Sequence, residues 1–292
     1  MKIVYLGLMC MSILSFADYK TEPSVKQVWE LSESILAPES VCLDEKREVL
    51  YVSNINGEGT EKDQNGYISK IDFNGKLLQS KWVEGLNAPK GMRIFGDTLY
   101  VTDIDEVVSI DLNQSKIKKK LSIKGAQFLN DIAINEDGVL FVSDTIVGKI
   151  FKIVNMNAVT TFLSGKTLEG PNGLFIQNGE LYVSTWGVPK KDWSTVTPGR
   201  LISFNLKNKK KSIYQKKPFG HLDGLEFEQG SAFLATDWVA GQLLRVSKDG
   251  IIKELATGLK GSADLAYIKA EKLAIIPQMG ANRVTAFKVE WE

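Results

Sequence analysis

Polar and apolar positions alternate along this chain in short phrases, and one phrase returns six times. It reads LYVSN at 50–54, LYVTD at 99–103, LFVSD at 140–144, LYVST at 181–185, FLATD at 233–237 and LAIIP at 273–277. The intervals are 49, 41, 41, 52 and 40 residues. Each phrase is preceded, 9–11 residues earlier, by the polar head of another short apolar run. At 130–144, NDIAINEDGVLFVSD, a tight turn at Glu136-Asp137-Gly138 joins the two runs, as expected of paired strands rich in Val, Ile and Phe. A third apolar run follows in each repeat: GYISKID, VVSID, GKIFKIV, GRLISFN, GQLLRVS and NRVTAFK. Repeats of this length built only from strands predict an all-β protein, a six-bladed β-propeller. The last repeat has three strands before Glu292, and the unassigned run VKQVWEL at 25–31 is expected to be its fourth. That exchange closes the ring and removes an open edge.

Composition adds bounds. The chain has 292 residues, 43% hydrophobic and 24% charged, with a formal charge of +1. A balanced charge of this kind does not point to nucleic acid or acidic membranes as partners. The lysine runs at 118–120 and 207–211 read as solvated turns or outer strands that discourage edge pairing. At the N-terminus Lys2 precedes an apolar stretch, IVYLGLMCMSIL, and then Ser15-Phe16-Ala17. This is the form of an export signal cleaved after Ala17, so residues 1–17 are assigned to a signal peptide and 18–292 to the propeller. A periplasmic or secreted location follows. Once the signal is removed, Cys42 in SVCLD is the only cysteine, which excludes an intramolecular disulfide and suits a buried small hydrophobe. No phosphate-binding GxxxxGK[ST] loop occurs.

The candidate chemistry lies at the heads of the innermost strands. In order these are Glu39, Lys90, Asn130, Asn172, Asp223 and Asp264. Equivalent places on innermost strands converge on the propeller axis. Asn and Asp also head strands simply to satisfy turn backbones, but four oxygen-bearing side chains in register point to a site. Glu39, Asn130, Asn172 and Asp223 form an oxygen set suited to a hard divalent cation, Ca²⁺ first, with Mg²⁺, Mn²⁺ or Zn²⁺ as alternatives. Lys90 brings a positive charge to the same ring, where it binds a substrate carboxylate, repels the cation or pairs with Asp264. Two loops exceed hairpin length, at 55–65 and 186–198, and are expected to rim one mouth of the channel. Trp186 and Trp193 either wall that mouth or anchor their own loop. Lys90, Asn130, Trp186 and Asp264 are therefore the candidate substrate contacts.

These residues resemble the SMP-30/gluconolactonase/LRE-like family of six-bladed propellers. The resemblance spans nearly the whole mature chain and is carried by Pro38-Glu39, Asn130-Asp131, Pro171-Asn172-Gly173-Leu174 and Asp223-Gly224-Leu225. It implies metal ligation by Glu39, Asn172 and Asp223, with Asn130 contacting the metal or the substrate. It also implies hydrolysis of a lactone, ester or phosphotriester, with Asp223 as the catalytic base and Asp131 as a second candidate. Two positions depart from the family pattern. Lys90 is a cation in the ring. Phe128 stands where gluconolactonases carry an arginine for sugar recognition. The lone histidine, His221, excludes the histidine pair of paraoxonases. Two readings remain: an exported metal-dependent hydrolase of a small lactone or ester, or a non-catalytic NHL-like propeller that binds a ligand or protein on its loop-bearing face.

Overall fold

All six predicted sheets are present in the computed structural model, which describes residues 23–291. The assigned signal, residues 1–17, lies outside the described residues. Each sheet has four strands, antiparallel throughout. In blade one they are Pro38–Asp44, Val49–Asn54, Gly66–Asp72 and Leu77–Leu86. Strands one to four of a blade run from the axis outwards, so every innermost strand starts on the same face of the disc. The second-to-third-strand loops open on that face too. Blade six is completed by Pro23–Leu31, which pairs along Arg283–Trp291 from Pro23 opposite Trp291 to Leu31 opposite Val284. The ring closure expected from the spare strand is thus present.

The alternation along each strand is explained by burial on both faces. Six apolar clusters fill the six gaps between blades. Leu50 and Val52 pack toward blade six, whereas Tyr51 between them packs toward blade two, with its ring 4.5 Å from that of Trp82. Burying each such side chain contributes about 1.5–3 kcal/mol. Cys42 belongs to the same gap, and burial pushes its thiol up to about 12. The lysine run at 118–120 sits in the outermost strand of blade two, Lys116–Ser122.

In four of the six recurring phrases the fourth residue joins one blade to the next near the axis. Thr102 Oγ1 donates to Asn130 O at 2.6 Å, Ser143 Oγ to Asn172 O at 2.7 Å and Thr236 Oγ1 to Ala263 O at 2.8 Å. Ser184 Oγ donates likewise to Asp223 O. The strands approach so closely here that a Cβ on Gly173 would lie 2.2 Å from Asp223 O, and one on Gly91 would lie 2.4 Å from Asp131 Oδ1. This is why glycine follows the head residue in PKG and PNG.

These joints also set the register of blade six, which differs by one residue from the expectation. The partner of Thr236 is Ala263, so Ala263, not Asp264, takes the ring position. Ser262 bridges Gln278 as Pro38 pairs with Asn54. The second strand, Leu273–Gln278, is therefore aligned one residue later than the LAIIP phrase suggests. Ala274 and Ile276 face blade five, and Leu273 and Ile275 face blade one. A one-residue slip in a strand reverses every face, and it moves Asp264 out of the ring into the layer beneath. There it bridges Ser40 in parallel and accepts a 2.6 Å bond from Ser40 Oγ.

Candidate active site

Where the innermost strands begin, the axis opens into a cavity of about 350 Å³. Its floor contains Glu39, Lys90, Asn130, Asn172 and Asp223, five of the six side chains expected in the ring. All five are buried. Each is held by the β-bulge that opens its innermost strand, for example between Pro38 and Val41 and between Pro171 and Leu174. The bulge turns the head side chain along the axis instead of into a blade interface.

Four of these side chains share an unusual property. Glu39 Oε2, Asn130 Oδ1, Asn172 Oδ1 and Asp223 Oδ1 are buried without a hydrogen-bond partner. A buried polar atom left unpaired costs about 1–3 kcal/mol, so four in one cavity amount to a large uncompensated cost. The Asn172 amide is fixed by donating from Nδ2 to Leu222 O at 3.2 Å, which leaves its oxygen as the free end. Burial raises both carboxyl groups well above the usual range. Around Glu39 the negative charges of Asp223 and Asp264 add to the rise and Lys90 opposes it. Around Asp223 the charges of Asp264 and Asp131 add and the Asn172 side chain opposes.

A divalent cation fits this donor set. Two carboxylates and two amide oxygens, all unpartnered and on one cavity floor, are what a hard cation takes as ligands. Among the described residues no group of three or more His, Cys, Asp or Glu side chains gathers to hold a metal. The set here has two carboxylates, its other oxygens being amides.

Lys90 does not pair with Asp264. Its Nζ donates to Gly59 O and Ala88 O, both at 2.9 Å, and lies 4.5 Å over the Phe128 ring. Burial pulls its pKa down to about 8, against the pull of Glu39 and Asp103. The loop at 55–65 thus reaches the axis and clasps Lys90 through a backbone carbonyl. The loop at 186–198 contributes Trp186 and Trp193 to the cavity wall. The two indoles stand 5.9 Å apart and the Trp186 Nε1 donates to Trp193 O at 3.2 Å, so these residues both anchor the loop and wall the mouth. His221 lies against Trp186, with ring centroids 5.2 Å apart, and its Nε2 is 3.0 Å from Thr195 Oγ1.

Asp131 and Asp264 do not line the cavity. Both lie one residue further along their strands, around a guanidinium that sequence reasoning missed. Arg93 Nη2 is 3.7 Å from Asp131 Oδ2 and 3.4 Å from Glu226 Oε1, and its Nη1 is 3.6 Å from Asp264 Oδ2. Asp131 also accepts from Leu174 N at 2.7 Å and Ile132 N at 2.6 Å. Burial raises Asp131 to about 8 and Glu226 to about 7, with Arg93 opposing in each case. Burial disfavours the Arg93 charge, but the three acids more than offset it and hold its pKa above the usual value. This layer lies beneath the cavity: of the two carboxylates expected as bases, Asp223 lines the cavity and Asp131 does not, and Asp264, expected as a substrate contact, does not line it either.

A second set of lining residues was only partly expected, Trp186 being named from the sequence and its equivalents not. In four blades the residue directly after the second strand lines the cavity. Ile55, Trp186, Trp238 and Met279 occupy this place in blades one, four, five and six, and all four line the cavity. The signal was present in the sequence, one position beyond the phrase in blades one, four and five and two beyond LAIIP in blade six.

No family model and no curated protein sequence matches the chain. Solved structures do. A gluconolactonase from Xanthomonas campestris is 12% identical, with a TM-score of 0.68 over 91% of this chain and 89% of that one. A streptogramin B lyase is 12% identical, with a TM-score of 0.65 over 92% and 98%. A catalytically inactive virginiamycin B lyase from Staphylococcus aureus with quinupristin is 13% identical, with a TM-score of 0.61 over 91% and 99%. At these identities the likeness is one of fold, and it spans the propeller.

Proposed function

We propose that this propeller is an exported hydrolase that opens a small lactone or cleaves a small ester in its axial cavity, with a divalent cation, calcium by preference, held by Glu39, Asn130, Asn172 and Asp223. The observation that carries this reading is the set of four unpartnered oxygens on one cavity floor. Two of the fold neighbours support it in kind, being enzymes that act on small molecules: a gluconolactonase and a lyase that takes quinupristin. When bound, the cation supplies Lewis-acid polarisation of a carbonyl oxygen and lowers the pKa of water. The chain's own residues do the rest. Asp223, one of the two carboxylates on the cavity floor, accepts the proton from attacking water. Lys90, fixed by two backbone carbonyls, presents positive charge to the oxygen that becomes the product carboxylate. The tryptophan wall keeps bulk water from the floor and so strengthens both interactions.

A second reading, a binding propeller without catalysis, is favoured by one feature: Lys90 places a cation in the ring a metal would occupy. Turnover separates the two. Chelator-treated protein is assayed against a panel of aryl and alkyl lactones and esters, with and without added calcium. Calcium-dependent hydrolysis that disappears in Glu39→Gln supports the enzyme. Calcium binding with no turnover of any substrate leaves the binding propeller.

A further inference from the structure

The cavity has two layers of opposite character, and together they describe its guest. Most of the wall is apolar, made of Ile55, Phe128, Trp186, Trp193, Trp238 and Met279, with Glu58 and Thr60 of the 55–65 loop on one side. Two of its indole donors are already committed. Trp186 Nε1 donates to Trp193 O, and Trp238 Nε1 to Met279 Sδ at 3.4 Å. A polyhydroxylated guest would exchange its hydrogen bonds to water for ring faces that return few of them. A flat apolar ring meets the same faces without that loss and gains stacking. The wall rings pack on one another edge-on or tilted, Phe128 against Trp193 at 4.8 Å and Trp186 against Trp238 at 5.8 Å between centroids, and so form one continuous aromatic surface.

Beneath the rings, Lys90 is the one cationic side chain lining the cavity among the described residues. An ammonium has three donors. Two are spent on Gly59 O and Ala88 O, and one remains for a guest. The flexible lysine stem is thereby fixed before binding, which lowers the ordering cost of using that donor.

We infer that the guest is a compact ring-bearing acid derivative, an aryl or cycloalkyl lactone, ester or the carboxylate it yields. Its ring lies among Trp186, Trp193 and Phe128, and its carboxyl oxygen is held by Lys90. A cavity of about 350 Å³ admits one ring with a short chain and lies at the small end of ligand sites. The inference rests on the hydrolase reading for the reaction, but the recognition it describes involves only Lys90 and the aromatic wall.

Product-like acids test it without turnover. Calorimetric titrations of the mature protein compare 3-phenylpropanoate with D-gluconate, each with and without calcium, in wild type, Lys90→Met and Trp193→Ala. The expected result is phenylpropanoate binding at least about tenfold tighter than gluconate, a step of about 1.4 kcal/mol. Lys90→Met should weaken phenylpropanoate at least about tenfold, and Trp193→Ala should narrow the gap between the two acids. Gluconate binding as tightly as phenylpropanoate overturns the inference, as does unchanged phenylpropanoate binding in folded Lys90→Met. If that variant does not fold, the wild-type pair and Trp193→Ala still decide. Calcium titration of the same samples separates the readings. Calcium binding without the ring preference defeats this inference alone, and the preference without calcium binding defeats the metal reading alone.

Discussion

At the scale of single residues, the floor of the cavity stores unfavourable charge that a cation would neutralise. Glu39 and Asp223 are buried, unpartnered at one oxygen each and shifted toward the protonated form. Asp223→Asn keeps the shape and removes one charge. In chelator this variant should be more stable than wild type by on the order of 1–3 kcal/mol, and calcium should add nothing to it; thermal melts with and without calcium check both points. The raised carboxyl groups also set a pH dependence. Their unfolded values are about 4, while the folded values lie well above, with Asp131 at about 8 and Glu226 at about 7. The native state therefore holds protons that the unfolded chain has released, so this contribution is full below the unfolded pKa and is lost as pH rises through the folded ones. Urea midpoints of the chelated protein should fall from pH 5 to pH 8, with a shallower fall at saturating calcium; a midpoint that rises over this window would contradict the charge assignment. These four oxygen-bearing side chains were legible because each stands 9–11 residues before an apolar phrase. Arg93 was not, because its importance comes from Asp131, Glu226 and Asp264, which reach it from three other blades.

At the scale of elements, the bulge at the head of each innermost strand connects sequence to site. It places one side chain along the axis and the next against the neighbouring blade. Space at that second position is so limited that the sequence must answer with glycine or with a hydrogen-bonded polar residue such as Ser40. Gly173→Ala would drive a Cβ to 2.2 Å from Asp223 O, against backbone that cannot yield. Its expected cost is more than about 3 kcal/mol, seen as loss of soluble protein or a collapsed melting temperature. Blade six shows where reading by phrase fails. LAIIP matches the apolar half of the motif, but the polar residue that ends the second strand is Gln278, in the place of Asn54, and not Pro277. Apolar runs fix a strand's existence better than its phase, and the terminal polar residue carries the phase. With the phase corrected, Met279 falls in line with Ile55, Trp186 and Trp238, and these four lining residues follow from the sequence.

At the scale of the molecule, two devices hold the ring: the N-terminal strand at the rim and the side chains at the axis. Deleting residues 1–31 removes the outermost strand of blade six and exposes the edge of Arg283–Trp291, a template for pairing between chains. That truncation should aggregate or melt well below wild type by light scattering and calorimetry, while removal of residues 1–17 alone should leave the melt unchanged. Fold and closure were legible because the repeat counted one strand too few at one end and one too many at the other. The axial set brings together blades one, three, four and five, through Glu39, Asn130, Asn172 and Asp223, so a cation there would tie four blades at one point. The most direct test is calorimetric titration of calcium into chelator-stripped protein comprising residues 18–292, beside Asp223→Asn. The account predicts one saturable site in wild type and a loss of affinity on the order of 100-fold or more in the variant. Absence of binding in both, or equal binding in both, would contradict it.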